Sequence, residues 1–180
     1  GRKVVVFIAN RGTDSELPAN DMCLFYSICD ENGDWAEPVP VADDRTFDTM
    51  PDIVLGTNKK NIGIVWADSA ARELTAEDSL KDKLNTLGIS GAIYNLESST
   101  MSDELNFVSD KHFNLAPQVS MVDDKIYVSY MARDIEAVTK DEDILDVTGL
   151  YSTMVTVGYD MEEKEVIPKK FVHIKHPAIE

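Results

Sequence analysis

Three short sequence signals recur in the same order along this chain, and each of them occurs three times. The first is an apolar segment closed by an aromatic residue, and the second is a tyrosine followed by a small polar residue. The third is the tripeptide Pro-x-(Ile/Val). These signals are marked by Phe7, Trp66 and Tyr130, by Tyr26, Tyr94 and Tyr151, and by Pro51, Pro117 and Pro177. Successive copies lie 57 to 68 residues apart, and a fixed order at a nearly constant period predicts a repeat architecture.

Each repeat has the pattern of short strands separated by turn residues. Residues 22–28 are apolar on both faces, and residues 35–41 resume an extended structure whose two prolines indicate a sheet edge. The polar segment between them contains Asn32-Gly33, which is a β-hairpin signal. Two further hairpins are predicted, from residues 51–55 with 62–67 and from residues 117–122 with 125–132.

One helix is predicted in the loop that follows the second aromatic strand. Thr75 is a candidate N-cap, leucines at three helical positions share one face, and Gly88 ends the pattern, which predicts a helix over residues 76–87. The loop of residues 134–146 is strongly acidic and is a candidate for a second, weaker helix.

The strand pattern favours an all-β fold of the propeller type. About four strands in ~60 residues are typical of one propeller blade, so the chain is expected to hold about three blades. The repeat units are expected at about residues 1–55, 56–122 and 123–180. Because propellers close with about 4–8 blades, we expect half of a ring, completed by another copy, a different chain or the rest of a longer parent chain.

The charge of the chain excludes some classes of partner. Its 33 acidic and 17 basic residues give a net charge of −16. A protein surface that binds nucleic acid or an anionic membrane needs clustered Lys and Arg. A solvated acidic surface is favoured, with calcium or a cationic partner as the alternative. No apolar run approaches the ~18 residues that span a bilayer, so no membrane insertion is expected.

The two cysteines are expected to be unpaired. Cys23 and Cys29 lie six residues apart in an apparent strand, which places them ~20 Å from each other, beyond the ~7 Å reach of a disulfide. Two buried thiols are predicted, and they give no information on an oxidising compartment.

The hairpin at residues 26–35 resembles the Asp-box of sialidase-like β-propellers, whose pattern is Ser-x-Asp-x-Gly-x-x-Trp. Asp30 and Trp35 have the family's spacing, whereas Ser27 and Gly33 are each displaced by one residue. The resemblance implies a six- or seven-bladed ring and a secreted or cell-surface protein. In that family the Asp-box is structural and lies away from the active site.

The resemblance does not extend to sialidase chemistry. Such enzymes carry an arginine triad and a Phe/Tyr-Arg-Ile-Pro segment, and the segment does not occur here. The chain has five arginines, and none matches the family's pattern, so no catalytic residue is assigned. They are Arg2, Arg11, Arg45, Arg72 and Arg133.

A candidate binding face is predicted where the repeated aromatic strand enters its loop. Equivalent loops from neighbouring blades gather on one face, and loops carry function more often than the core. The residues at this position are Asn10, Arg11, Asp68, Arg133 and Asp134, and they are the candidate ligand-binding residues. The aromatic residues beside them, Phe7, Trp66 and Tyr130, are expected in the core.

Metal sites are not favoured by the sequence. Asp30-x-Asn32-x-Asp34 has the spacing that begins a calcium loop, but Trp35 stands where glycine is required, so a hairpin turn is favoured. His173 and His176 would point to opposite faces of a strand, which argues against zinc. No other cofactor is indicated.

The sequence leaves three functions open. A non-catalytic propeller module that binds a carbohydrate or a protein is favoured. The alternatives are part of a sialidase-like glycoside hydrolase and a structural repeat domain without its own ligand. The missing arginine set favours binding over catalysis.

Overall fold

In the computed structural model, the described residues form three antiparallel β-sheets, each built from strands that are consecutive in the chain. The residues that the structure describes are 2–12, 18–42, 44, 46–69, 74–110, 112–133 and 151–175. The first sheet contains β1 (Lys3–Asn10), β2 (Met22–Cys29) and β3 (Val39–Pro40). The second contains β4 (Asp48–Leu55), β5 (Asn61–Asp68) and β6 (Gly88–Asn95), with β7 (Thr100–Met101) and β8 (Leu105–Val108) both paired to β6. The third contains β9 (Phe113–Val122), β10 (Lys125–Arg133), β11 (Tyr151–Asp160) and β12 (Glu165–Lys175).

The prediction of an all-β fold with one short α-helix is confirmed for the described residues, which also contain a 3₁₀ helix at Pro18–Asp21. The three repeated aromatic segments form β1, β5 and β10, and the two predicted hairpins form β4–β5 and β9–β10. The number of blades, the closure of a ring and the boundaries of the repeat units stay predictions.

The helix begins later than its sequence pattern predicted. Helix α1 spans Leu80–Asn85, and its N-cap is Ser79, whose hydroxyl accepts a hydrogen bond from the amide of Asp82. The amide of Thr75, the predicted N-cap, instead donates to the Asp78 carboxylate at 2.7 Å in a preceding turn. Thr75 and Ser79 are both suitable N-cap residues, and the helix begins after Ser79. The acidic loop of residues 134–146 lies outside the described residues.

The Pro-x-(Ile/Val) signal marks a β-bulge in two of the sheets. The β4–β5 ladder shifts register between Thr49 and Asp52, and Met50 has a φ of 50°. The β9–β10 ladder shifts in the same way next to Ala116, whose φ is also 50°. Proline has no N–H to donate to a ladder, so a bulge is a position in a sheet that tolerates it.

The second sheet lies between the other two, as the alternation of its central strand shows. Ile64 and Trp66 of β5 pack in one cluster with Leu24 of the first sheet. Val65 and Ala67, which point to the opposite face, pack with residues of the third sheet. Both faces of β5 are therefore covered, and all eight of its residues are buried.

The aromatic residues of the repeated strand were expected in the core, and the prediction holds for two of them. Trp66 and Tyr130 are 0% and 2% exposed. Phe7 is half-buried and stacks on Phe25 with the ring centres 6.0 Å apart. The difference arises because no described sheet covers the outer face of the first sheet. Cys23 and Cys29 are buried and form no disulfide with each other, as predicted.

Polar contacts join the second and third sheets, one in the middle of the strands and one at an end of the sheets. We call this the lower end, where β5 and β10 begin, and the opposite end, where they finish, the upper end. The Asp52 carboxylate accepts a hydrogen bond from the amide of Val119 at 2.9 Å. At the lower end, the Thr57 hydroxyl accepts from the amide of Asp123 at 2.8 Å. Both contacts connect the second sheet directly to the third.

Candidate functional site

The predicted binding residues lie at the upper end of consecutive sheets. Asn10, Asp68 and Arg133 are the last residues of β1, β5 and β10, and Arg11 follows Asn10 directly. Asp134 lies outside the described residues. The placement of the first four on a common end agrees with the repeat pattern, whereas contact with a ligand stays a prediction.

Most of these side chains are buried or form hydrogen bonds within the protein. The Asn10 side chain accepts a hydrogen bond from the amide of Gly12 at 2.6 Å. The Arg11 guanidinium is partly buried and donates to the carbonyl of Asn20 at 3.4 Å. Asp68 is 0% exposed and Arg133 is 8% exposed. Of the four described candidates, Asn10 is exposed, Arg11 is partly buried, and the other two are buried.

A buried carboxyl pair lies beneath this end. Asp48 begins β4 and pairs across the ladder with Asp68, and both are 0% exposed. One oxygen of Asp48 accepts a hydrogen bond from the amide of Leu24 at 2.7 Å, and its other oxygen has no partner among the described residues. Sequence reasoning did not single out Asp48, because its burial follows from the packing of β4 against the first sheet.

The environment of Asp48 favours its neutral form. Burial raises the pKa of Asp48 to about 7, against the opposing effect of the Leu24 amide, and the negative charges of Asp44, Asp68 and Glu104 add to the rise. Burial also raises the pKa of Glu104. A carboxyl group with a raised pKa next to a second carboxyl group is the arrangement that glycosidases use. Here neither Asp48 nor Asp68 reaches solvent, so the pair has no access to a substrate.

A cleft opens at the lower end between the first and second sheets. We call it the Trp cleft, and its volume is about 470 Å³. Its walls come from the start of β1, the hairpin after β2 and the end of β6. The lining residues are Arg2, Ile28, Asp30, Asp34, Trp35, Ala36, Tyr94 and Ser99. Trp35 is 52% exposed, in contrast to the other tryptophan, Trp66, which is fully buried.

The turn before Trp35 is held by its own aspartate. One oxygen of Asp30 accepts hydrogen bonds from the amides of Asn32 and Asp34 at 2.8 and 2.9 Å. These bonds, led by that of Asp34, lower the pKa of the Asp30 carboxyl group. Gly33 supplies the positive φ of 97° that the turn needs. The predicted hairpin is confirmed, and the turn fixes Trp35 opposite Cys29.

The floor and far wall of the Trp cleft come from the second sheet. Tyr94 is 2% exposed and forms a tilted ring pair with Tyr26, with the ring centres 5.7 Å apart. Arg2 reaches across and donates to the carbonyl of Leu96 at 3.4 Å. The sequence did not predict Arg2, Tyr94 and Ser99 as residues of a candidate site. Trp35 was the signal that could have led to them, but in the resembled family the Asp-box that contains this tryptophan is structural.

A second cleft repeats this arrangement between the second and third sheets. Its volume is about 460 Å³, and Asn95, Asp103, Tyr159 and Lys164 are among its lining residues. Like the Trp cleft, it lies between the hairpins at the lower ends of two neighbouring sheets. It has no tryptophan in its wall.

Neither a metal centre nor a membrane span is found in the part of the chain that the structure describes. Within these residues, no group of three or more His, Cys, Asp or Glu side chains is arranged to hold a metal ion. No helix there has the length and apolar character needed to cross a bilayer. His173 lies in the extended strand β12, as expected, and His176 lies outside the described residues.

Comparisons with known proteins give weak structural likenesses. No protein-family model and no curated protein sequence matches this chain. The Penicillium chrysogenum alpha-L-arabinanase complexed with arabinobiose is similar with a TM-score of 0.45 and 7% identity, over 84% of this chain and 40% of the arabinanase. The tricorn protease is similar with a TM-score of 0.45 and 10% identity, over 92% of this chain and 17% of the protease. The chain thus spans less than half of either protein, and neither likeness identifies a ligand of this chain.

Proposed function

We propose that the three sheets are consecutive blades of a β-propeller and that the chain is a non-catalytic carbohydrate-binding module of a secreted or cell-surface protein. The binding site in this proposal is the Trp cleft. The observation that carries it is the 52% exposure of Trp35 on the wall of a cleft of about 470 Å³. That volume lies within the range of small-molecule sites, which is about 300–1,000 Å³.

The chemistry of the cleft suits a sugar ring. An exposed indole offers a flat apolar face for the C–H surface of a pyranose, and its ring N–H can bind water or a hydroxyl group. The Asp34 carboxylate and the Ser99 hydroxyl line the same cleft and can bind sugar hydroxyls. Aromatic stacking with a few convergent polar groups is the general composition of a ligand site.

Charge favours a neutral sugar over an acidic one. The cleft contains one cation, Arg2, against the two carboxylates of Asp30 and Asp34, and the chain as a whole has a net charge of −16. A negatively charged sugar would approach against this potential. We therefore expect neutral hexoses or pentoses rather than sialic or uronic acids.

The burial of the carboxyl pair supports binding over hydrolysis. The alternative function, part of a sialidase-like glycoside hydrolase, needs two carboxyl groups that flank the substrate. Of the described carboxyl groups with a raised pKa, Asp48 lies beside Asp68, and both of these residues are 0% exposed. The remaining alternative is a purely structural repeat domain. This alternative gives the exposed indole of Trp35 no role.

Replacing Trp35 with alanine is expected to weaken glycan binding roughly tenfold to hundredfold, because it removes the stacking surface. The fluorescently labelled chain is first screened on a glycan array, and the affinity for the best neutral glycan is then measured by calorimetry. Trp35→Phe should retain part of the affinity. Leu55→Ala is the matched control, since Leu55 is also 52% exposed and does not line the cleft.

Two results would contradict this proposal. Equal glycan affinities of the wild type and Trp35→Ala would remove the cleft from the binding site. Turnover of chromogenic glycosides that is lost in Asp68→Asn would show a hydrolase instead. An array without any signal, together with no turnover, would favour the structural repeat domain.

A further inference from the structure

The hairpin that joins β6 to β7 forms a wall of both clefts at the lower end. Tyr94 and Ser99 line the Trp cleft, whereas the residue after each of them, Asn95 and Thr100, lines the second cleft. Tyr94 and Asn95 are consecutive in β6 and so point to opposite faces of the sheet. The two clefts are therefore one hairpin apart, and sheets that pack face to face are about 10 Å apart. We call the second cleft the Lys cleft, after Lys164 in its wall.

This hairpin is held rigidly and has a polar tip. The side-chain oxygen of Asn95 accepts hydrogen bonds from the amides of Glu97 and Ser98 at 2.9 and 2.8 Å. The Ser98 and Thr100 hydroxyls are hydrogen-bonded to each other at 2.7 Å, and residues 97–100 are exposed. A fixed ridge with exposed hydroxyl groups thus lies between the two clefts.

The same hydrogen bonds orient a buried donor in the Lys cleft. Because the Asn95 oxygen faces the amides of the turn, its side-chain nitrogen faces Asn61 and donates to the Asn61 side-chain oxygen at 3.0 Å. Asn61 is 5% exposed, and its side-chain nitrogen has no hydrogen-bond partner among the described residues. An oriented N–H donor in the wall of a cleft, unused by the protein, is a group that a ligand can bind.

Other polar groups of the Lys cleft are also unused by the protein. The Tyr159 hydroxyl forms no hydrogen bond and the Lys164 ammonium forms no ion pair with any residue that the structure describes. Asp103 adds an exposed carboxylate, and Ile93 and Leu105 add apolar surface. A few polar groups around an apolar wall, in a volume of about 460 Å³, are typical of a small-molecule site.

We propose that one extended, neutral oligosaccharide occupies both clefts and crosses the hairpin between them. This proposal rests on the function proposed above, since Trp35 binds one end of the glycan in the Trp cleft. In the Lys cleft, the Asn61 amide and the Tyr159 hydroxyl donate to sugar oxygens, and the Asp103 carboxylate accepts from sugar hydroxyls. Lys164 and Asp103 give this cleft one charge of each sign, which suits a neutral ligand.

A single ligand in both clefts gains affinity that two separate sugars do not. Once one end is bound, the other end is held beside the second cleft at a high effective concentration. The rigid hairpin keeps the separation of the clefts constant, so little ordering of the protein is needed when the ligand binds. The Ser98 and Thr100 hydroxyls lie where the connecting sugars would pass.

The dependence of affinity on glycan length tests the proposal. Calorimetry compares xylobiose with xylohexaose and cellobiose with cellohexaose, because a disaccharide fills one cleft and a hexasaccharide is long enough to reach both. In at least one series the hexasaccharide should bind the wild type at least about tenfold more tightly than the disaccharide. The double variant Tyr159→Phe/Lys164→Asn should lose most of this gain and keep the disaccharide affinity. Asparagine tolerates the φ of 56° at Lys164, and neither change removes a hydrogen bond of the fold.

Lys59→Asn is the matched control. Lys59 is exposed, has a φ of 57° in the turn between β4 and β5, and lines neither cleft, so this variant should bind both lengths as the wild type does. A hexasaccharide affinity that the double variant retains, or that Lys59→Asn lowers equally, would overturn the proposal. If Trp35→Ala still abolishes disaccharide binding in that case, the Trp cleft alone is the site. Wild-type protein that binds neither series would also overturn the bridging ligand, and the glycan array then decides separately whether the Trp cleft binds any sugar.

Discussion

Replacing Asp48 with asparagine is expected to raise the free energy of unfolding by about 2–4 kcal/mol at pH 8 and to change it little at pH 4. Asp48 is fully buried, and burial raises the pKa of its carboxyl group from 3.8 to about 7. Asparagine keeps an oxygen that can accept the hydrogen bond from the Leu24 amide, and it carries no charge at any pH.

The sign follows from the proton bound in each state. Between pH 4 and pH 7 the unfolded chain has lost the Asp48 proton, whereas the folded chain still holds it, so wild-type stability falls as the pH rises through this window. Above pH 7 the folded chain must carry a buried charge near Asp44, Asp68 and Glu104. The asparagine variant avoids this cost, which is why its advantage appears only toward neutral and alkaline pH.

Urea unfolding of both proteins at several pH values between 4 and 8 measures the effect. The quantity of interest is the difference in unfolding free energy between variant and wild type, since other carboxyl groups titrate in both. Asp103→Asn, at an exposed carboxylate, is the control and should show only a small difference. Curves for Asp48→Asn and wild type that stay parallel over this range would contradict a raised pKa at Asp48.

Replacing Gly88 with alanine is expected to lower the free energy of unfolding by about 2–3 kcal/mol. A Cβ atom at Gly88 would collide with the backbone carbonyl oxygen of Val108, because β8 approaches β6 closely where their ladder shifts register. A main-chain oxygen in a paired strand cannot rotate away, so the strands themselves must separate.

Gly63→Ala in the neighbouring strand β5 is the matched control. The atom nearest to a Cβ there is the terminal methyl carbon of Ile126 at 3.1 Å, which can move by rotation of its side chain. Its cost should stay below about 1 kcal/mol. Thermal or urea unfolding of the two variants compares them, and a Gly88→Ala protein as stable as Gly63→Ala would show that β8 does not approach β6 as described.

The strands could be predicted from the sequence because their signals are local. Alternating apolar residues, turn residues such as Asn32-Gly33, and prolines that cannot donate to a ladder are each read within a few positions. The start of the helix could not be fixed in the same way, since Thr75 and Ser79 both suit an N-cap and only their hydrogen bonds distinguish them. The Ser79 hydroxyl accepts from the Asp82 amide, whereas the Thr75 amide donates to the Asp78 carboxylate.

The site was less predictable because it depends on packing between sheets. Asp68 follows a strand and seemed a rim residue, yet β4 brings Asp48 beside it and the pair is buried. Trp35 matched a structural motif, yet it is 52% exposed and lines a cleft together with Tyr94 and Arg2, which come from other parts of the fold. Residue type and spacing carry no information on which neighbouring sheet covers a side chain.

The order of strands within the sheets has a consequence for synthesis of the chain on the ribosome. In the second and third sheets, each long strand pairs with its neighbour in sequence, so a sheet can form once its own residues have emerged. The first sheet emerges before the other two, but among the described strands β1 pairs only with β2, and no described sheet covers its Phe7 and Phe25 face. Of the three sheets, the first is therefore expected to be the last to gain its full protection from exchange, and it is where a chaperone would bind the nascent chain.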